Sequence, residues 1–258
     1  MCFELDSQPP VPTIAGAAVA NETVTLTAAD GNQFAAFLAT AEGAPTDVAV
    51  VVLPDVRGLY RFYEELALRF AERGFDSIAI DYFGRSAGVG QRDAEFPFRD
   101  HMAHTSYEGV RADVGAAVAR MREGKPDRQV FTVGFCFGGS NAWHSAADGH
   151  GLAGAMGFYG HPNREFPAGA TPMIERVPEI EAPILGLMGG ADQGIPEEEV
   201  QRFRDALHAA GKPHEIVTYE GAPHSFFDRS YEEHAEASAD AWERVLGFIE
   251  QHSKGTQS

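Results

Sequence analysis

The chain has 258 residues, of which 44% are hydrophobic and 22% charged, a balance that suits one compact α/β domain over 1–258 with its core at about 21–252. A formal net charge of -18 argues against a nucleic-acid partner, because phosphate contacts need clustered Lys and Arg. Two cysteines, Cys2 and Cys136, exclude a disulfide framework, and a free thiol suits a reducing compartment, the cytoplasm. The segment Met1-Cys2-Phe3-Glu4-Leu5-Asp6 shows no basic region followed by an apolar stretch, so no signal peptide is expected. No apolar run reaches the ~20 residues of a membrane span, so no membrane association is expected either.

In chain order, a proline-rich lead-in from Ser7 to Pro12 precedes two alternating segments, 23–28 and 33–39, around Asp30-Gly31, which reads as a hairpin. Short apolar runs follow at 48–53, 77–80, 130–133, 153–158 and 184–188, with a strand-like segment at 216–219. Such runs are what strands covered on both faces look like. Helical spacing appears at Phe62, Leu66 and Phe70 before Gly74, and at Val200, Phe203 and Leu207 between Pro196 and Gly211. A last helix carries Ala235, Ala239, Trp242, Leu246 and Ile249. Alternating strands and helices predict a mostly parallel twisted sheet with helices on both faces and a site at the carboxyl ends of its strands.

The segment Gly134-Phe135-Cys136-Phe137-Gly138 has the spacing of a nucleophile elbow, G-x-S-x-G with sulfur in place of oxygen. A side chain on so sharp a strand-to-helix turn needs glycines beside it, and the helix amino terminus favours the thiolate. The plainer alternative is a buried structural cysteine. Two later features favour the nucleophile. Asp192 follows the 184–188 run on a Gly-Gly turn, and His224, one of ten histidines, follows 216–219 on a loop. The order Cys136, Asp192, His224 is the nucleophile, acid, histidine order of α/β-hydrolases. In such a triad His224 takes the thiol proton and Asp192 holds the imidazole in its useful tautomer. An oxyanion hole is expected from the amides of Phe137 and Val56.

These motifs, with Met188-Gly189-Gly190-Ala191-Asp192 and His224-Ser225-Phe226, resemble the dienelactone hydrolase family of α/β-hydrolases over roughly 48–249. The resemblance implies the α/β-hydrolase fold and a carboxylic ester hydrolase that opens a small lactone or ester, with no cofactor. It also implies that Arg85, in Asp81-Tyr82-Phe83-Gly84-Arg85, anchors a substrate carboxylate. Two positions depart from the family pattern. Asp55 stands where the family has a glutamate that contacts the resting thiol, and Arg57 beside it is placed either to pair with Asp55 or to bind substrate. Asp228 stands where the family has a second carboxylate-binding arginine, with Arg229 one place further on. Dienelactone itself therefore does not follow as the substrate, and a small anionic lactone or ester remains open. Ser225 and Tyr159 are further candidates for substrate contact. Tyr159, His161 and Arg164, after the 153–158 run, either line a pocket or are ordinary loop residues.

Other candidates carry less. His101 and His104 stand three apart without a third ligand nearby, so no metal is expected. The glycine-rich stretch 84–90 lacks both nucleotide-binding patterns. Glu197-Glu198-Glu199 reads as a helix first turn complementing its dipole. Two alternatives to a lactone hydrolase remain: a broader carboxylesterase or thioesterase on the same triad, and a non-catalytic ligand-binding or redox-sensing protein in which Cys136 oxidises. Oligomeric state cannot be read from the sequence.

Overall fold

A computed structural model describes residues 8–17, 19–42, 47–93, 95–228 and 231–253. Cys2 and Arg229 lie outside the described residues. The strands are β1 (Val19–Thr27), β2 (Gln33–Ala41), β3 (Val48–Leu53), β4 (Asp76–Ile80), β5 (Gln129–Phe135), β6 (Gly154–Phe158), β7 (Ile184–Gly189) and β8 (His214–Tyr219). The helices are α1 (Arg61–Glu72), α2 (Gly84–Ala87), α3 (Phe98–Met102), α4 (Tyr107–Met121), α5 (Phe137–Ser145), α6 (Met173–Arg176), α7 (Glu197–Ala209) and α8 (Ala235–His252). One sheet of eight strands runs in the order β1-β2-β4-β3-β5-β6-β7-β8. The β1–β2 hairpin and the β2–β4 pair are antiparallel, and every pair from β4 to β8 is parallel. The expected mostly parallel sheet with the α/β-hydrolase order is therefore the architecture observed.

Alternation within β3 shows how the sheet is covered. Val50 and Val52 join one apolar cluster with Phe62, Leu66 and Phe70 of α1 and with Val245 and Ile249 of α8. Ala49, Val51 and Leu53 join the other cluster, with Val110, Val114 and Val118 of α4. Both faces are dry, which is why β3 reads as a continuous apolar run; each fully buried Val or Leu contributes roughly 1.5–3 kcal/mol.

Helix α4 has no counterpart among the helical patterns recognised in the sequence. Its stretch YEGVRADVGAAVARM carries small residues on the buried side and buries a charged residue, Asp113, so the apolar stripe is diluted. A Ser106 side chain caps it by accepting from the Gly109 amide at 3.2 Å.

The parallel half of the sheet positions the site. In β3, β5, β6, β7 and β8, neighbouring carboxyl ends are in register, with Leu53 opposite Gly134, Phe135 opposite Phe158, Phe158 opposite Leu187 and Gly189 opposite Tyr219. Residues that follow these strands are thereby gathered along one edge.

Candidate active site

Cys136 follows β5 directly and is the residue that opens α5, with φ 55° and ψ -112°. Only a surrounding that over-determines the backbone holds a non-glycine residue there, at a cost of order 1–3 kcal/mol. Two features do so. Phe135, one residue before, is buried between Phe158 (ring centroids 4.6 Å) and Phe227 (5.7 Å). Gly138 lets α5 pass against β3: a Cβ there would lie 2.0 Å from the Leu53 carbonyl oxygen. Tyr159 (φ 38°) and Ser225 (φ 64°) are the other non-glycine residues with positive φ among those described. All three follow the carboxyl ends of parallel strands, so the backbone strain is concentrated at this edge.

His224 sits between the sulfur and a carboxylate. Its Nδ1 bonds Asp192 Oδ2 at 2.6 Å, and its ring is hydrogen-bonded to Cys136. Burial works against a charged imidazole, but the bonds to Asp192 and Cys136 outweigh it and raise the His224 pKa to about 10. Burial pushes Asp192 the other way, yet the His224 hydrogen bond and the amides of Gly194 and Ile195 hold its carboxyl below the usual value. A thiol, an imidazole and a carboxylate in series can move a proton from sulfur to nitrogen and hold the charge that results.

These groups open on a cavity of about 140 Å³ lined by Cys136, His224, Val56, Phe137, Tyr159 and Phe166, with His161, Arg164, Ser140, Gly194 and Ile195 completing it. The Phe137 amide is the first of α5 and has no intrahelical acceptor. No hydrogen bond engages the Val56 amide among the described residues. Val56 and Phe137 thus line the same cavity as Cys136, each with an amide that no backbone bond engages among the described residues.

The structure puts several expected substrate contacts elsewhere. Arg85 is not at the cavity: its guanidinium meets Asp113 at 2.8 Å, Asp30 at 2.9 Å and the Gly109 carbonyl at 3.0 Å. Gly84 packs against β2 so closely that a Cβ would lie 2.2 Å from the Gln33 carbonyl oxygen, and from there the Arg85 side chain is drawn to the Asp113 carboxylate of α4. Asp55 does not line the cavity either. Its carboxylate accepts the Arg57 amide at 2.8 Å and the Tyr60 hydroxyl at 3.1 Å, and its own amide donates to the Tyr63 hydroxyl at 3.0 Å. Burial pushes the Asp55 carboxyl up, with the Arg57 amide and guanidinium opposing. Arg57 lies over the Tyr60 ring at 4.5 Å and is likewise absent from the lining. Ser225 contributes its backbone, accepting from the Asp228 amide at 3.2 Å, rather than a wall of the cavity.

Tyr159 does line the cavity. Its hydroxyl donates to the buried Asp228 at 2.7 Å, and its ring lies 4.9 Å from the imidazole of His224. Ser140, Phe166 and Ile195 were not singled out in the sequence. For Ser140 a signal existed, because it stands four residues after Cys136 and so one helical turn along the same face; Phe166 and Ile195 lie on loops whose paths no periodicity reports. His101 is used structurally, bonding Ser86 Oγ at 2.9 Å and stacking on Phe96.

The profile of the dienelactone hydrolase family matches residues 34–253, most of the chain. A carboxymethylenebutenolidase of Rhodococcus opacus is 29% identical over 98% of this chain and 97% of its own length. The carboxymethylenebutenolidase of Pseudomonas putida is 28% identical, over 88% of this chain and 95% of that protein. Among solved structures, a candidate dienelactone hydrolase of Klebsiella pneumoniae superimposes with a TM-score of 0.80 at 27% identity, covering 91% of this chain and 99% of that one. A strand-borne cysteine at an elbow, a histidine and aspartate from the next strands along, and a match that runs from β2 to the end of α8 lead to one conclusion: the chain belongs to the dienelactone hydrolase family.

Proposed function

We propose that this member of an ester-hydrolysing family opens a small lactone, or cleaves a small ester, through a thioester on Cys136. The observation that carries the reading is the continuous hydrogen-bonded series Cys136, His224, Asp192 facing a cavity of about 140 Å³. His224 takes the proton of the Cys136 thiol, and the sulfur adds to the ester carbonyl carbon. Negative charge gathers on the carbonyl oxygen, where the Val56 and Phe137 amides donate to it. The C–O bond then breaks, the imidazolium returns its proton to the departing alkoxide, and a thioester remains. Water, deprotonated by His224, attacks the thioester carbon; the carboxylic acid leaves and sulfur regains its proton. In a lactone both products of the first cleavage stay on one molecule, so a compact cavity suffices for the whole substrate.

The size of the cavity supports small rings. Roughly 150 Å³ is the volume of an apolar cavity that takes benzene, close to the volume here. No described helix is long and apolar enough to cross a membrane, and the acidic chain suits a small-molecule substrate rather than a polyanion.

The test is hydrolysis of a dienelactone, a neutral aryl ester and a thioester by wild type and by Cys136→Ala, with mass spectrometry of the enzyme during turnover. Loss of turnover in Cys136→Ala and an acyl adduct on Cys136 in wild type are the expected results. Full activity without Cys136 sinks the mechanism, whereas oxidation of Cys136 without hydrolysis of any substrate favours the redox-sensing alternative.

A further inference from the structure

The two edges of the sheet differ. At β8, six residues long, side chains close the border: Arg204 Nη2 donates to the Ile216 carbonyl at 3.5 Å, and Arg244 pairs with Glu215 beside it. At β1, nine residues long, no described residue does so. Its register with β2 runs from Val19 opposite Ala41 to Thr27 opposite Gln33 without a bulge, and it contains no Pro, Lys or Arg. Those are the devices that blunt a solvent-facing edge, and Glu22 is the one charge that β1 carries.

Hydrogen-bond parity fixes which groups of β1 face outward. In an antiparallel pair, alternate residues turn both amide and carbonyl toward the neighbouring strand, and those between turn both away. The Ala28 amide donates to the Asn32 carbonyl at 2.8 Å, in the same register as the strands, so Leu26, Val24, Glu22 and Ala20 are the residues bonded to β2. Two contacts agree. The Thr40 hydroxyl of β2 donates to the Ala20 carbonyl at 3.5 Å, and Ala35 of β2 is turned the other way, accepting the Asp81 amide at 2.9 Å just past β4. Val19, Asn21, Thr23, Thr25 and Thr27 therefore present their amides and carbonyls to the outside, and no described residue bonds them. Asn21, Thr23, Thr25 and Thr27 are exposed. Val24 and Leu26 join the apolar cluster that includes α4, and Val19 joins the one that includes α1.

We propose that β1 is where two copies of this protein join, antiparallel about a two-fold axis at Thr23, so that their two sheets continue into one. Each copy offers the same outward residues, and a pairing centred on Thr23 meets each of them with another of the set: Thr23 with the partner's Thr23, Asn21 with the partner's Thr25, Val19 with the partner's Thr27. All nine residues of the strand are used, over roughly 30 Å. Charge selects this centre over one at Glu22, which would set two carboxylates face to face; at Thr23 each Glu22 meets the partner's Val24. A centre at Val24 would leave Val19 and Ala20 past the end of the partner's strand. The Thr23 register also sets the partner's Val19 beside Thr27, at the border of a groove of about 450 Å³ lined by Ala112, Gly115, Ala116 and Ala119 of α4. The start of the partner's strand thus adjoins a helix face with no bulky side chain at those positions. The net charge of -18 opposes association, so salt that screens it strengthens the dimer.

The experiment is sedimentation velocity of the full chain from about 1 μM to about 100 μM, on wild type, Thr23→Pro, Thr23→Lys and Thr23→Glu, each checked for folding by thermal melt. Wild type is expected to dimerise within that range, more tightly in about 1 M salt than in about 0.15 M. Thr23→Pro removes an outward amide without breaking a bond between β1 and β2, and is expected to be monomeric. Thr23→Lys and Thr23→Glu each set like charges face to face at the axis and are expected to weaken the dimer about 5-fold. Their equimolar mixture is expected to recover it, because opposite charges then meet at Thr23, and this arm reads the register even if the proline variant fails to fold. Wild type that stays monomeric at about 100 μM, a dimer that dissociates in about 1 M salt, indifference to Thr23→Lys and Thr23→Glu, or a mixture no tighter than its components overturns the proposal.

Discussion

Tyr159 joins the histidine of the site to a buried carboxylate: its hydroxyl bonds Asp228 at 2.7 Å while its ring lies 4.9 Å from His224. Asp228 is 2% exposed, so its charge depends on donors of this kind. Burial and Asp228 both hold the phenol protonated, which keeps it a donor at all working pH values. Tyr159→Phe is expected to cost about 1–3 kcal/mol in urea denaturation, because it strips a partner from a buried carboxylate. A loss of kcat of roughly 10-fold is expected with it, below the roughly 100-fold that a full ångström of misplacement costs. A destabilised variant with wild-type kcat would show that the contact is structural alone.

Arg85→Ala is expected to be a stability mutant. Asp113 is 1% exposed, and burial raises its pKa to about 7 even with Arg85 beside it. A carboxyl whose folded pKa is raised costs stability as pH climbs from the unfolded value, 3.8, to the folded one, because over that window only the unfolded chain ionises. Removing the cation pushes the pKa further up, so the deficit is small at pH 5, where Asp113 is protonated in both proteins. Above pH 7, where wild-type Asp113 ionises and that of the variant does not, it grows by up to about 1.4 kcal/mol per pH unit, and so by roughly 1.4 kcal/mol at pH 8. Denaturant titrations of both proteins at the two pH values measure it; an equal deficit at both would mean that Asp113 does not titrate there.

The same pair explains what the sequence could and could not disclose. β3 and β7 were legible because both faces are dry and the apolar runs are unbroken. Cys136 and Asp192 were legible because each follows such a strand, and His224 because it follows the shorter alternating run of the half-buried β8. Arg85 was misplaced because its direction is set by Asp113, a residue of α4, whose alanines and glycines hide its periodicity. An unrecognised helix thus became a misassigned side chain. Arg164 stayed undecided because the path of its loop is fixed by single hydrogen bonds, such as Ser140 Oγ to the His161 amide, which no spacing reports.

His144 gives an acid limit. It lies at the end of α5, 2% exposed, and its Nδ1 faces Arg176 at 3.3 Å. Burial, then the Arg176 cation, lower its pKa from 6.5 to about 4. The unfolded chain therefore takes up this proton first, so stability present above pH 6.5 is lost as pH falls toward 4, by about 3 kcal/mol at most. His144→Gln keeps an acceptor for Arg176 without a proton to gain. Its stability is expected to fall less steeply than wild type over that window in chemical denaturation, and parallel curves would remove His144 as the cause.

Asp192→Asn tests the opposite sign at the site itself. The His224 pKa stands at about 10 in the folded protein against 6.5 for the free side chain, so the contribution of its charged form is complete below pH 6.5. That contribution fades as pH rises toward 10. Asp192, held below its usual value, adds a lower bound: its share is lost as pH falls through its folded pKa. The stability gap between wild type and Asp192→Asn is therefore expected to be widest near pH 6 and to close in both directions. Catalysis should suffer more than folding, because an asparagine bonds the wrong tautomer of His224 and leaves the imidazolium unsupported; a kcat loss of about 10³- to 10⁴-fold is expected. A variant with a flat stability gap from pH 5 to 10 and near-wild-type kcat would mean that Asp192 anchors a loop and that the charge on His224 is held by Cys136 alone.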